Sequence, residues 1–391
     1  MTTKRAALAR ARKAAGFTQE TLADAVGVDP STVRRWEVGS SVPQPWLRPK
    51  LATAFRLTLQ ELNALLESAG SSLETVAPST LSFFTEYAVT EPVTVEYIDS
   101  IRFQMRHLLA MDAQFGGNEA SVQAVRLFRS VHRRVGASPC PRSLQRDLYS
   151  TAGELAEIAG WLLYDADKQE EARRINQEAL YYLRWAGDRS LELLTLQNMS
   201  MQAEYLDRPA EALNIAQSVM ETDQLTPRVE ALFLARSAHA LAQQGQQGEA
   251  NKAFSKAHNL FLDGPGTDDP IWAYWVDDIQ FAWFEAKVRT AQGNHGRSVA
   301  IFADALAHSP KHRVRGLYSR TTYLLESLVA VGDWRQAEVL VPHLEPYIRE
   351  VGSGRTTAIL RRALRAIHAG DVPSNLRDGA VHLRGLLDGS L

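Results

Sequence analysis

Apolar residues recur at helical spacing along most of the chain, and the residues between them mark where helices start and stop. Near the N-terminus Leu8, Ala11 and Ala15 share one helical face, and Gly16 stops that run. Thr18 is placed to cap a second helix, TQETLADAVG. This helix carries Glu20 in its first turn, has Leu22, Ala23 and Val26 as its apolar side, and ends at Gly27. Asp29 caps a third helix, and Pro30 takes its first position, where no amide donor is missed. Val33 and Trp36 lie three apart on its inner face, and Gly39 ends it. Two short helices joined by a tight GVD turn, with small Ala23 letting them approach, make a helix-turn-helix.

Residues 67–95 break this pattern with Gly, Ser and Pro and read as a linker anchored by Phe83, Phe84 and Tyr87. Helical patterning resumes near Glu96, and GASPCPRS (136–143) interrupts it once. From about residue 144 a longer period takes over. Each unit is a helix, a short turn and a second helix with core positions at offsets zero, four and seven. Those positions are Ala172/Asn176/Ala179, Ala212/Ala216/Val219, Ala250/Phe254/Ala257, Ser298/Phe302/Ala305 and Ala337/Val341/Leu344. The starts differ by 40, 38, 48 and 39 residues, and the long interval holds the insertion DGPGTDDP (263–270). Twelve positions before each start, inside the first helices, lie Gly160, Ser200, Ala238 and Ala286; the fifth unit departs with Leu325. Asp167, Asp207, Gly245, Gly293 and Gly332 precede the turns. Small residues there let paired helices pack closely.

Charge changes the picture. Of the 391 residues, those from 1 to 66 hold ten Lys/Arg against five Asp/Glu, whereas the remainder holds 33 against 40. A small head of net +5 on a body of net −7 points to a polyanion contacting one end only. The apolar (45%) and charged (23%) fractions are those of a soluble globular protein. No stretch reaches a membrane span, and MTTKRAALARARK lacks the apolar core of a secretion signal. Cys140 is the only cysteine, which excludes an internal disulfide and a thiolate metal cluster and suits a cytoplasmic protein. No metal and no cofactor is expected. Signatures of nucleotide-binding loops, zinc proteases and serine hydrolases are missing, so an enzyme is not expected either.

Arg12, Gly16, TQETLA (18–23), GVDPSTVRRWEVG (27–39), Pro43 and LATAF (51–55) together resemble the phage-repressor-like, or Xre, family of DNA-binding domains over residues 4 to 66. With Val33 and Trp36 turned to the core, Ser31, Thr32, Arg34 and Arg35 face outward. The resemblance implies base readers at the start of the third helix and one turn on. Arg35 is the first candidate, because a guanidinium can bond both O6 and N7 of guanine. Arg34 is placed for a phosphate, as is Gln19 at the start of the second helix, with Arg48 and Lys50 as weaker phosphate candidates. Pro30 departs from the polar residue frequent at its position, so a contact there is not expected. The family's internal ion pair falls on Arg12 and Glu37, and Trp36 reads as core.

The repeat resembles tetratricopeptide repeats with a slightly longer unit, and implies an all-α architecture: the helix-turn-helix followed by an α-solenoid with a concave face. In that family the first helices line the concave face at fixed positions. Carried over, these are Trp161 and Tyr164; Gln197, Asn198 and Met201; Arg236 and His239; Trp283 and Lys287; and Tyr323. Glu157, Gln280, Thr322 and Glu326 share the same faces. Asn198 corresponds to an asparagine that tetratricopeptide receptors use to hold a peptide main chain, since one amide both donates and accepts. WAYW (272–275) reads as a packing anchor.

The expected organisation is a DNA-binding head (1–68), a linker (69–95) and a repeat domain for sensing and dimerisation (96–391). The whole chain resembles the peptide-pheromone-responsive regulators of Gram-positive bacteria, and more closely the actinobacterial Xre-type regulators with repeat domains. That implies a transcriptional regulator binding double-stranded DNA as a homodimer, with a peptide or small-molecule effector. The alternative is an adaptor whose solenoid holds a partner protein while the head merely localises it.

Overall fold

The structure is a computed structural model, and it describes residues 6–38, 43, 47–55, 57, 62, 66, 91–310 and 313–389. The regular structure among those residues is all helix, with no strand. The chain divides into two compact units, residues 1–86 and 87–391. Most of the expected linker, and Gly39, lie outside the described residues.

The first unit holds α1 (Ala6–Ala14), α2 (Gln19–Val26), α3 (Pro30–Val38) and α4 (Leu47–Phe55). Thr18 caps α2 reciprocally. Its hydroxyl accepts from the Thr21 amide at 3.1 Å, and its own amide donates to the Thr21 hydroxyl at 2.8 Å. Gly27 closes α2 in the left-handed region (φ 76°), a conformation that costs a residue with a Cβ more than glycine. Leu8, Leu22, Ala23, Val26, Val33, Trp36, Leu51 and Phe55 meet in one core. Ala23 is fully buried, as close approach of α2 and α3 requires.

The second unit opens with α5 (Val95–Phe115) and α6 (Gly117–Ala137). Both share a core with the helices that follow, through Ile98, Ile101, Met105, Ala124, Phe128 and Val131. Five helix pairs come next: α7 (Arg142–Asp165) with α8 (Gln169–Ala186), α9 (Arg189–Tyr205) with α10 (Pro209–Thr222), α11 (Pro227–Gln243) with α12 (Gln247–Leu262), α13 (Asp278–Ala291) with α14 (His295–Ala307), and α15 (Val314–Val331) with α16 (Trp334–Leu340), which a 3-10 turn prolongs to Leu344. α17 (Glu345–Glu350), α18 (Gly354–Ala369) and α19 (Ser374–Leu387) end the unit. Every position read as second-helix core, from Ala172 to Leu344, is buried. The five residues before the turns, Asp167 (62°), Asp207 (55°), Gly245 (77°), Gly293 (75°) and Gly332 (71°), are all left-handed. Gly160 is packed so tightly on the Asn176 side chain that a Cβ would overlap it, and the Ser200 hydroxyl donates to the Ala212 carbonyl at 3.0 Å across its pair. Trp272 anchors the insertion, donating its indole N–H to the Ser190 carbonyl at 2.9 Å.

The series closes on itself. α15 and α18 pack against α5 and α7, joining the end of the unit to its beginning. The Gly352 amide donates to the Phe115 carbonyl (2.7 Å), and the Gly352 carbonyl accepts from the Asn118 amide (2.9 Å). Asp165, fully buried at the end of α7, holds the seam. It accepts from the Gly117 amide (3.0 Å) and the Ser353 hydroxyl (3.0 Å), and pairs with Arg355 (3.4 Å) and Arg315 (3.7 Å). Removing one partner from such a buried ionic group typically costs about 3–5 kcal/mol, because the remaining charges are left uncompensated.

Candidate functional site

Two sites take shape, one in each unit. In the first unit, α3 presents the short cationic stretch. Val33 and Trp36 are buried, at 1% and 2% exposure. At 100° per residue the opposite side of α3 faces outward, with Arg34 and Arg35 on opposite flanks of that face. Both arginines are exposed and Thr32 is half-buried; the Ser31 side chain lies outside the described residues. Arg35 donates to the Thr32 hydroxyl at 3.0 Å, so the two base-reading candidates support each other.

Glu37 organises the base of this face. Arg12, itself buried, gives it Nε at 2.6 Å and a second N–H at 3.3 Å, and donates a further N–H to the Phe17 carbonyl at 2.7 Å. Gln19 donates its amide to the other Glu37 oxygen at 2.6 Å. The ion pair ties α1 to α3, and Gln19 is held at the start of α2 with a second N–H still available. Arg48 is directed elsewhere, its Nε donating to the Pro43 carbonyl at 3.2 Å, while Lys50 is exposed.

A groove of about 400 Å3 runs beside this face, lined by Arg10, Lys13, Gln19 and Arg34, with Ala9, Val38 and the Arg12-paired Glu37. Arg10 and Lys13 are exposed, and sequence reasoning passed over them. They stand three apart on α1, on the same side as each other, and this spacing was the available signal. Three cations and the N-terminus of α2 converging on one groove match what a phosphate backbone requires.

The second site is a partly open pocket on the inner side of the solenoid, with about 170 Å3 of open space. Eight of the ten carried-over residues line it: Trp161, Tyr164, Met201, Arg236, His239, Trp283, Lys287 and Tyr323. Gln197 and Asn198 do not reach it. Both are buried beneath, where Gln197 donates to Asn198, Asn198 donates to Glu157 (2.7 Å), and Arg236 donates to Gln197 (3.1 Å). The Asn198 amide is therefore committed within the protein and not offered to a ligand. Gln280, read from the repeat as sharing these faces, lines it too, and so do Glu204, Tyr205, Arg315, Ser319, Arg320 and Arg355, which the repeat did not indicate. Counting along repeats missed them, since Arg355 follows the last repeat and enters only because the solenoid closes.

Burial sets the protonation states. It raises the Glu157 carboxyl to about 8, with Glu154 adding to the effect, so this group is largely protonated at neutral pH. Glu204 is as deeply buried, but Arg236 (3.3 Å) and His239 (2.9 Å) outweigh that and hold its carboxyl below the ordinary range. Burial lowers His239 despite Glu204, which leaves a neutral imidazole whose Nδ1–H donates to that carboxylate. Among the described residues no group of His, Cys, Asp and Glu could hold a metal ion, and no helix is long and apolar enough to cross a membrane.

The comparisons agree with the geometry of the first unit. The helix-turn-helix family model matches residues 8–62, which form an Xre-like helix-turn-helix domain. No curated protein and no solved structure matches the chain. The first unit thus carries a DNA-binding domain of the kind found in transcriptional regulators, and a long helical repeat-like unit follows it.

Proposed function

We propose that the chain is a sequence-specific transcriptional regulator that binds double-stranded DNA as a homodimer, and that its tetratricopeptide-like unit senses a small effector in the pocket on its inner side. The observation that carries this reading is the α3 face. Exposed Arg34 and Arg35 project from a helix whose other side is locked into the core by Val33 and Trp36. In this reading Arg35, with Thr32 and Ser31, reads base edges, and Arg34, Gln19, Arg10 and Lys13 grip phosphates, with Lys50 as a further contact. One such domain touches few bases, and two heads on adjacent half-sites supply the missing specificity. The pocket favours a small effector over a protein partner, because its open space of about 170 Å3 is far below what a folded segment occupies. An effector acts here only by binding two arrangements of the protein with different affinity.

Sedimentation of the full chain together with hydroxyl-radical footprinting on its DNA site tests the dimer. Two protected half-sites about one helical turn (~34 Å) or a multiple of it apart are expected. A monomer protecting a single patch would contradict it.

A further inference from the structure

The cavity carries more positive charge than its own acids neutralise. Four of its cations lie over aromatic rings: Arg315 at 5.1 Å from the Trp161 centroid, Arg355 at 4.9 Å from Tyr164, Arg236 at 4.9 Å from Phe284, and Lys287 at 4.8 Å from Tyr323. Three of them also have carboxylates. Arg315 meets Asp112 (3.3 Å) and Asp165, Arg355 meets Asp165, and Arg236 meets Glu204. Lys287 and the fifth cation, Arg320, have no described carboxylate at ion-pair distance, and Nε and Nη1 of Arg320 are buried without a hydrogen-bond partner. Asp277 acts on Arg320 from beyond ion-pair distance, so five cations face four acids and one positive charge is left over in a space walled by rings. A partly desolvated cation without a counter-charge is costly, and an anion bound there would offset that cost.

The shape narrows the anion. A space of about 170 Å3 is close to the roughly 150 Å3 cavity known to accept benzene. Trp161, Tyr205 and Trp283 supply flat apolar surface, and Lys287 with the Arg320 guanidinium supplies positive charge beside it. We propose that this cavity is a binding site for a small aromatic carboxylate, with Lys287 and Arg320 holding the carboxylate and the tryptophans flanking the ring. The proposal rests on the effector-sensing reading given above. A short peptide ending in an aromatic residue presents the same chemistry at its C-terminus, and the titration below separates it from the free one-ring acid.

Isothermal titration of the full chain with phenylacetate, phenylacetamide, and the dipeptide Gly-Phe in free and amidated form tests this. Phenylacetate is expected to bind saturably, with its neutral amide at least about tenfold weaker. Lys287→Met and Arg320→Gln, checked for unchanged melting, should each weaken the acid by about ten- to a hundredfold and leave the amide unaffected. Equal affinity for acid and amide, heat with none of the probes, or folded variants that bind the acid as before would overturn the proposal. Gly-Phe binding far more tightly than phenylacetate, with the advantage lost on amidation, would keep the carboxylate chemistry and overturn the free acid as its source. Phenylacetate that binds without altering DNA affinity would remove the sensing role and leave the site. A neutral or cationic effector that shifts DNA affinity would remove the carboxylate site and leave the sensing.

Discussion

Three residues show how similar side chains acquire different work from their surroundings. Arg12, Arg34 and Arg35 lie within the same small unit. Arg12 is buried on Glu37 and fastens helices, whereas Arg34 and Arg35 stand on opposite flanks of an exposed face. Arg35→Ala should reduce preference at one base position by about 1–3 kcal/mol. Competition binding against single-base operator variants measures this, and an equal loss on every sequence would make Arg35 a phosphate contact. Arg34→Ala should weaken all sequences alike and lower the slope of log K against log salt by about one; an unchanged slope would remove Arg34 from the phosphate set. Glu157 makes a prediction about pH. Its folded carboxyl is raised to about 8, so between about pH 5 and 8 the folded state holds a proton that the unfolded state has released. Stability then falls as pH rises through that window, by at most about 1.4 kcal/mol per unit. Glu157→Gln imitates the protonated acid and should flatten the slope in urea unfolding; a slope left as steep would place the titration elsewhere.

Among the helices, small residues decide how closely pairs approach. Gly160→Ala gains about 1 kcal/mol of helix propensity, but its methyl meets the buried Asn176 side chain, and overpacking of that kind costs about 1–3 kcal/mol. A net loss of up to about 2 kcal/mol is expected in chemical denaturation, and a gain in stability would show that α7 and α8 are not in tight contact there. This level was the most legible in the sequence. Offsets of zero, four and seven put Ala172, Asn176 and Ala179 on one side of a helix, and left-handed turns need Gly or Asp, so pattern and turn chemistry agreed repeat after repeat. Asn198 was less legible. Family spacing places it on the inner face, but Glu157 and Arg236, from neighbouring helices, draw Gln197 and Asn198 into a buried network. The long-range partners of a polar side chain leave no local period. The same holds for Arg48, whose Pro43 carbonyl partner no spacing rule announces.

At the scale of the whole molecule, closure of the second unit is the feature that the sequence hid. Asp165 lies 188 positions from Ser353 and 190 from Arg355, and nothing near either end marks the meeting. Closure turns an open concave face into a cavity and brings Arg355 into it. Asp165→Asn should therefore lower stability by about 3–5 kcal/mol and loosen the seam, read as faster amide exchange in α5, α7 and α18 together. Exchange confined to α7 would mean that the ends are held by other contacts. Regulation by this chain requires the head to bind a defined DNA sequence through α3. The most direct measurement is selection of genomic DNA fragments by the purified full chain, beside the Arg34→Ala/Arg35→Ala double variant, at near-physiological salt. A two-fold symmetric site enriched by the wild type and not by the double variant is expected. The same site enriched equally by both would contradict it, because sequence would then be read by some other surface.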